Sequence, residues 1–267
     1  MFAPRWNRRA VRLPVFAAAF FSFSISALSV HAQGSSGASA DIESRTLIDL
    51  PTAGLIPHGG VALDMDFYQS GGVLAGVSVG LWNRLMAGIS YGGADLLGME
   101  TPTWNKAPGL SLKVRLLEET LEFPAVALGF SSQGKEAFLR EKNRYLIKSR
   151  GIYAVMSKNY TALGSMGFHG GVNYSFETDD GDTDPDLFFA VEKSITPFAS
   201  AVAEYDLGVN DSNSGALGRG RGYLNLGFDI SVGSGFTIGL NFKDLLKNQQ
   251  TTAFGNRTIR LEFVRIR

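Results

Sequence analysis

The sequence has no cysteine, only three histidines and no surplus of either charge: 25 Lys and Arg stand against 25 Asp and Glu in 267 residues. Without cysteine there is no disulfide, no thiolate metal site, no Cys nucleophile and no lipid-modified N-terminal cysteine. A balanced charge argues against a nucleic-acid binder, which needs a basic excess. Mean hydropathy is close to zero (+0.04), so nothing resembles a multi-helix membrane protein. Long apolar runs are also scarce. The longest, Val15–Leu28, is interrupted by Ser22, Ser24 and Ser26 and is short of the ~20 residues a spanning helix needs.

That run has a different explanation. Arg5, Arg8, Arg9 and Arg12 precede it, and Val30, His31 and Ala32 close it with small residues at the cleavage-relevant positions. A basic region, an apolar core and an A-x-A-like end describe a secretory signal peptide over residues 1–32. Its removal leaves 21 Lys and Arg against 25 Asp and Glu, a net charge of −4. Residues 33–60 then read as a periplasmic N-terminal lead, flexible over Gln33–Ala40, and 61–267 as the folded domain.

What the remainder has in quantity is glycine, 32 in all, about 12% against a usual ~7%, on a background of period-2 alternation. In Phe236–Lys243, the side chains of Phe236, Ile238, Leu240 and Phe242 share one face, and those of Thr237, Gly239, Asn241 and Lys243 the other. Tyr223–Val232, Val61–Tyr68 and Gly164–Phe176 repeat the pattern. Strands of the ~9–11 residues that span an outer membrane are expected to start near Val61, Val73, Leu85, Gly109, Phe123, Gly151, Ala162, Pro185, Phe198, Gly222, Phe236 and Arg257. After a first hairpin with only Ser70–Gly72 at its tip, the connections alternate long and short. Long loops on one side and tight turns on the other are the arrangement of a transmembrane antiparallel up-and-down β-barrel of about twelve strands.

Alternation alone does not say which face is inside, and a soluble periplasmic β-sandwich would bury the apolar one. Three features favour lipid. The polar face is rich in small residues (Gly76, Ser78, Gly80; Ala125, Ala127, Gly129, Ser131), which suit a crowded lumen better than an open surface. The apolar face carries almost no charge at mid-strand, Lys193 near one strand's end being the exception. Twelve strands around an apolar interior would need more filling than these side chains supply, because such interiors fill at ~8 strands. The expected location is therefore the outer membrane of a Gram-negative-type bacterium, with lipid, lipopolysaccharide and the barrel assembly machinery as partners.

On this parity Asp64, Asp66, Lys113, Arg115, His169, Glu192, Glu204, Asp206, Asp229, Lys243, Arg260 and Glu262 face the lumen. They form either a selectivity lining or, with both signs mixed, cross-strand pairs; closure should bring Asp64 and Asp66 to Arg260, with Lys243 one strand further. Chemistry is sparse. His169 shares its face with Ser165, Gly167 and Asn173 and has no catalytic partner at recognisable spacing, and no G-x-S-x-G, H-E-x-x-H or P-loop pattern occurs. No catalysis and no cofactor are expected. The acidic run Asp179–Asp186 lacks the Gly and Glu of an EF-type loop at the required places, where Pro185 and Val191 stand, so a weak calcium site competes with a solvated loop. The basic loop Gly134–Arg150 could meet lipopolysaccharide phosphates or an acidic polysaccharide.

Around Pro124–Gly134, then Tyr153–Lys158, Leu163 and Gly164, with Leu50-Pro51-Thr52-Ala53-Gly54 upstream, the chain resembles the YjbH-like outer-membrane proteins. The resemblance implies a β-barrel taking part in exopolysaccharide export or surface handling, with a polysaccharide or an export complex as partner. A channel for small solutes or lipids is the alternative that the residues themselves leave open.

Overall fold

The structure, a computed structural model, describes residues 34–161, 164–250 and 255–266; the expected signal peptide lies outside them. Twelve strands form the wall. They are β1 (Val61–Tyr68), β2 (Gly72–Leu81), β3 (Leu85–Ala94), β4 (Gly109–Leu117), β5 (Ala125–Ser131) and β6 (Gly151–Thr161). There follow β7 (Ser165–Tyr174), β8 (Asp186–Thr196), β9 (Ala199–Asp206), β10 (Tyr223–Gly233), β11 (Phe236–Lys243) and β12 (Asn256–Arg265). Each strand pairs antiparallel with its neighbours in sequence, and β12 pairs with β1 in the register Val61↔Arg265 to Phe67↔Ile259, which closes the barrel. All twelve observed starts lie within three residues of those expected from alternation.

The polarity of this barrel is inverted relative to a soluble protein. Leu63, Met65, Ile89, Leu110, Ile152, Phe189 and Ile259 are exposed on the outside, whereas Lys113, Ser200, Glu204, Thr237 and Asn241 are buried inside. A continuous apolar belt of this extent is far larger than a soluble monomer exposes to water. Aromatic residues mark its edges: Trp82, Phe123, Tyr160 and Phe198 near the short turns, Tyr91, Trp104 and Phe176 near the long loops, with Tyr91 and Trp104 stacked at 5.6 Å. A closed ring leaves no unpaired strand edge in hydrocarbon. The wall is a transmembrane barrel, with its short turns at the periplasmic end and its long loops outside.

Inward glycines make room for large lumenal groups. A Cβ on Gly129 would lie 2.2 Å from the Tyr153 ring, and one on Gly171 would lie 2.4 Å from the Phe188 ring. At the outer end the loops close over the bore. Loop 132–150 carries a small hairpin (Lys135–Leu139 with Arg144–Ile147). From it the Arg144 guanidinium, 1% exposed, donates to Asp180 and Asp211 at 2.6 Å each, while Lys148 reaches Asp180 at 2.9 Å.

The segment expected to be a short lead is where the structure differs. Residues 34–60 do not extend away from the barrel. They enter the bore at the short-turn end, turn at its centre and return to start β1. Closure brings Asp66 opposite Arg260 in register, as expected, but the ion pairs form elsewhere: Asp64 pairs with Arg45 of this segment and Asp66 with Lys135 of an outer loop.

Candidate functional site: a hairpin seated in a charged lumen

The inserted segment is a hairpin. Thr46 and Pro51 form an antiparallel bridge, Leu47 N–H donates to Leu50 C=O at 2.9 Å, and Thr52 N–H donates to Arg45 C=O at 3.2 Å. Its lower legs are fixed at the periplasmic end. Ala38 N–H bonds to Thr196 C=O, and Gly59 N–H to Gly80 C=O. The tip presents Leu47, Ile48 and Leu50 to an apolar patch on the inner wall made by Ala125, Ala127, Val155, Phe188 and Val202. Each such buried side chain contributes roughly 1.5–3 kcal/mol.

The opposite side of the hairpin is held by charge, largely through its backbone. Lys113 Nζ donates to three carbonyls, those of Arg45 (2.8 Å), Thr52 (2.9 Å) and Gly54 (3.1 Å). Arg115 donates to Ala53 C=O at 2.8 Å and pairs with Glu43. Arg260 donates to the carbonyls of Thr46 and Leu47. From the other wall, Glu204 accepts the successive N–H groups of Ile48, Asp49 and Leu50 at 2.8–3.2 Å, an arrangement of converging amides that suits an anion. Besides Glu43, two hairpin side chains reach back. Arg45 donates to Asp64 (2.8 Å) and Glu262 (2.5 Å), and the Asp49 carboxylate accepts from Lys243 at 2.7 Å.

The lumen-facing residues anticipated from parity therefore divide by role. Lys113, Arg115, Glu204, Lys243, Arg260, Glu262 and Asp64 touch the hairpin, and Asp66 holds Lys135. Asp206 pairs with Arg150, and Asp229 lies 3.9 Å from Arg260. Glu192 lines a cavity of about 350 Å³ at the periplasmic end, together with Glu43, Glu118, Glu119 and His169. A second cavity of about 170 Å³ on the outer side is lined by Arg45, Asp49, Lys113, Lys135, Lys148 and Arg150. Cross-strand pairing is thus the minor pattern, and contact with the hairpin and loops the major one. Arg45, Asp49 and Glu43, which complete the network, were placed outside the barrel by the sequence reading. The signal that could have found them is the run of Leu47, Ile48, Leu50, Leu55 and Ile56, more apolar than a free periplasmic lead requires.

His169 is buried, with Nδ1 2.8 Å from Ser157 Oγ; that oxygen accepts the Ala53 N–H at 2.8 Å. The pair is occupied in holding the hairpin, with no carboxylate hydrogen-bonded to the ring among the described residues. Nor do any three His, Asp or Glu side chains among the described residues converge as metal ligands. In the acidic loop, Asp180 is engaged by Arg144 and Lys148, and Asp182 Oδ2 accepts from Ser212 and Asn213 N–H. Burial pushes the Asp180 carboxyl up, but Lys148 and Arg144 more than offset it and hold it below the ordinary carboxylate range. Glu177 on the same loop goes the other way: burial pushes it up to about 7, against the N–H groups of Ser149 and Tyr145.

No protein-family model matches the chain, and no curated protein matches it either. Among solved structures it is similar to the KdgM porin (8% identity, TM-score 0.47) and to the NanC porin (12%, 0.44), covering in each case 78% of this chain and 99% of the other. It is also similar to the translocator domain of the autotransporter NalP from Neisseria meningitidis (15%, 0.36), over 78% and 86% of the two chains. The assignment rests on this chain's own inverted, closed wall. The protein is an outer-membrane β-barrel. Its bore is occupied by its own N-terminal hairpin.

Proposed function

We propose that this barrel is a channel for small polar solutes, held shut by the hairpin at residues 41–55. The observation that carries the reading is that the hairpin is not part of the wall: ion pairs, hydrogen bonds and two apolar patches, one at its tip and one where Ile42 and Leu55 meet Ala62, Met86 and Val264, keep it in a bore that is otherwise lined by polar and charged groups. The spaces beside it, about 170 and 350 Å³, compare with ~30 Å³ per water molecule and suit solutes no larger than a small sugar. The exopolysaccharide role implied by the YjbH-like resemblance would instead need a polymer to thread the bore after the hairpin has left it.

Planar-bilayer conductance tests this. The full chain is expected to be closed most of the time, and a variant with 41–55 replaced by a Gly/Ser segment of equal length to conduct steadily. If that variant folds, as judged by heat-dependent gel mobility, and conducts no more than the parent, the channel reading fails. Liposome swelling with monosaccharides and with a polysaccharide then separates small-solute passage from polymer passage.

A further inference from the structure

The basic loop 134–150 was expected to meet lipopolysaccharide, but Arg144, Lys148 and Arg150 of that loop are buried against acids. Besides Arg140 and Lys142, exposed cations of the outer rim gather between loop 207–222 and residues 244–250. There Arg219, Lys247 and Arg257 line an exterior cavity of about 260 Å³ together with Phe242 and Leu245. Arg221 stands alongside, donating to Leu246 C=O at 3.3 Å. The one acid in the cavity, Asp244, is committed: its two oxygens accept Asn248 N–H at 2.7 Å and Gln249 N–H at 2.9 Å. We propose that this cavity binds the phosphorylated headgroup of an outer-leaflet glycolipid of the lipid A type.

The position and the construction both fit that ligand. Phe242, Leu245, Leu246 and Ile259 are exposed and belong to the apolar belt or its upper edge. The cations therefore sit where the hydrocarbon ends and headgroup phosphates begin on the long-loop side. Two arginines offer paired N–H donors, which match phosphate oxygens better than a point charge does. The frame is set before any ligand arrives. The Asn248 side chain, fully buried, accepts Arg219 N–H at 2.9 Å and Arg221 N–H at 2.8 Å, tying the two loops together. Lys247 and Asp244 close a tight turn, with Lys247 N–H on Asp244 C=O at 2.9 Å. A soluble acidic polymer would be met equally well by cations on top of the loops, such as Arg140 and Lys142. A cation set directly above lipid-facing Phe242 and Leu245 favours a ligand with acyl chains.

The test uses the full chain in lipid nanodiscs doped with bisphosphorylated lipid A, with bound lipid read by native mass spectrometry. Arg219→Gln, Lys247→Gln and Arg257→Gln combined should weaken retention of lipid A by at least about tenfold, since each surface cation adds to the attraction towards anionic lipid. Dephosphorylated lipid A should bind the parent protein as weakly as bisphosphorylated lipid A binds the variant. Arg140→Gln with Lys142→Gln should leave binding unchanged. If the triple variant does not fold, the single Arg257→Gln change should still lower retention several-fold. Unchanged retention in the Gln variants, equal binding of the dephosphorylated lipid, or full competition by inorganic phosphate or by a soluble acidic polysaccharide would overturn the proposal.

Discussion

Arg45 offers the most direct access to the seating of the hairpin. It is 4% exposed and stands between two wall carboxylates, donating to Asp64 through both terminal nitrogens (2.8 and 3.2 Å) and to Glu262 at 2.5 Å. Asp64 and Glu262 are direct Cα partners across β1 and β12, so without the guanidinium two like charges face each other at one rung of the closing seam, an unfavourable pairing. Arg45→Met keeps the length and the apolar stem but removes the charge. Deleting one member of a buried ion cluster costs about 3–5 kcal/mol, because the partners stay behind uncompensated. That shifts the ratio of seated to released hairpin by roughly two to four orders of magnitude. Single-channel recording should show a matching rise in open probability, and protease should cut the 41–55 segment from the periplasmic face of proteoliposomes. The wall itself should keep its heat-dependent gel shift. Adding Asp64→Asn and Glu262→Gln should reverse most of the effect, because the stranded charges are then gone. An Arg45→Met protein as closed and as protease-resistant as its parent would refute the reasoning. So would one whose release is unaffected by the two neutralising changes.

Two further outcomes are expected. Glu177 is pushed up to about 7 by burial, so its contribution to the outer-loop clasp is fully present below the unfolded-state value of roughly 4.3 and is lost as pH rises through about 7. The protection factors of the Tyr145 and Ser149 amides, which donate to Glu177, should fall as pH rises from the unfolded-state value to about 7 once the intrinsic base-catalysed rise in exchange is divided out, and Glu177→Gln should abolish that fall; an unchanged fall in the variant would assign the titration elsewhere. Gly129→Val places a side chain where a Cβ alone would be 2.2 Å from the Tyr153 ring. Overpacking of this kind costs typically 1–3 kcal/mol, so the yield of heat-shifted barrel should fall and recover with Tyr153→Ala; undiminished assembly of Gly129→Val would show that the ring moves aside freely.

The wall was legible because period-2 alternation is a local property. Phe236, Ile238, Leu240 and Phe242 announce one face whatever lies opposite them, and the alternation of long and short connections orders the strands without any knowledge of contacts. The direction of the charged side chains followed from the same parity. Their partners did not. Asp66 and Arg260 are indeed adjacent in register, yet Asp66 pairs with Lys135 and Arg260 bonds to carbonyls of Thr46 and Leu47. Long side chains reach past the neighbouring rung to whatever fills the bore, and alternation carries no record of a filler from another part of the chain.

The need for a filler was nevertheless implicit in the strand count. Side chains fill a barrel of ~8 strands; twelve strands whose inward residues are so often Gly, Ser and Ala leave a wider bore. The inward cations then have three possible partners: water, acids on the same wall or backbone from elsewhere. Lys113 takes the third course completely, its ammonium being satisfied by three hairpin carbonyls and paired with no carboxylate among the described residues. Glu204 mirrors it with three hairpin amides. A cation and an anion fixed on opposite walls, each reading main-chain groups, define a seat for a folded-back strand and require little of its side chains. The side-chain requirements sit instead at Arg45 and Asp49, whose charges answer Asp64, Glu262 and Lys243. Removal of those two charges should therefore loosen the hairpin while leaving a seat that a backbone can still occupy, whereas loss of Lys113 or Glu204 removes part of the seat itself.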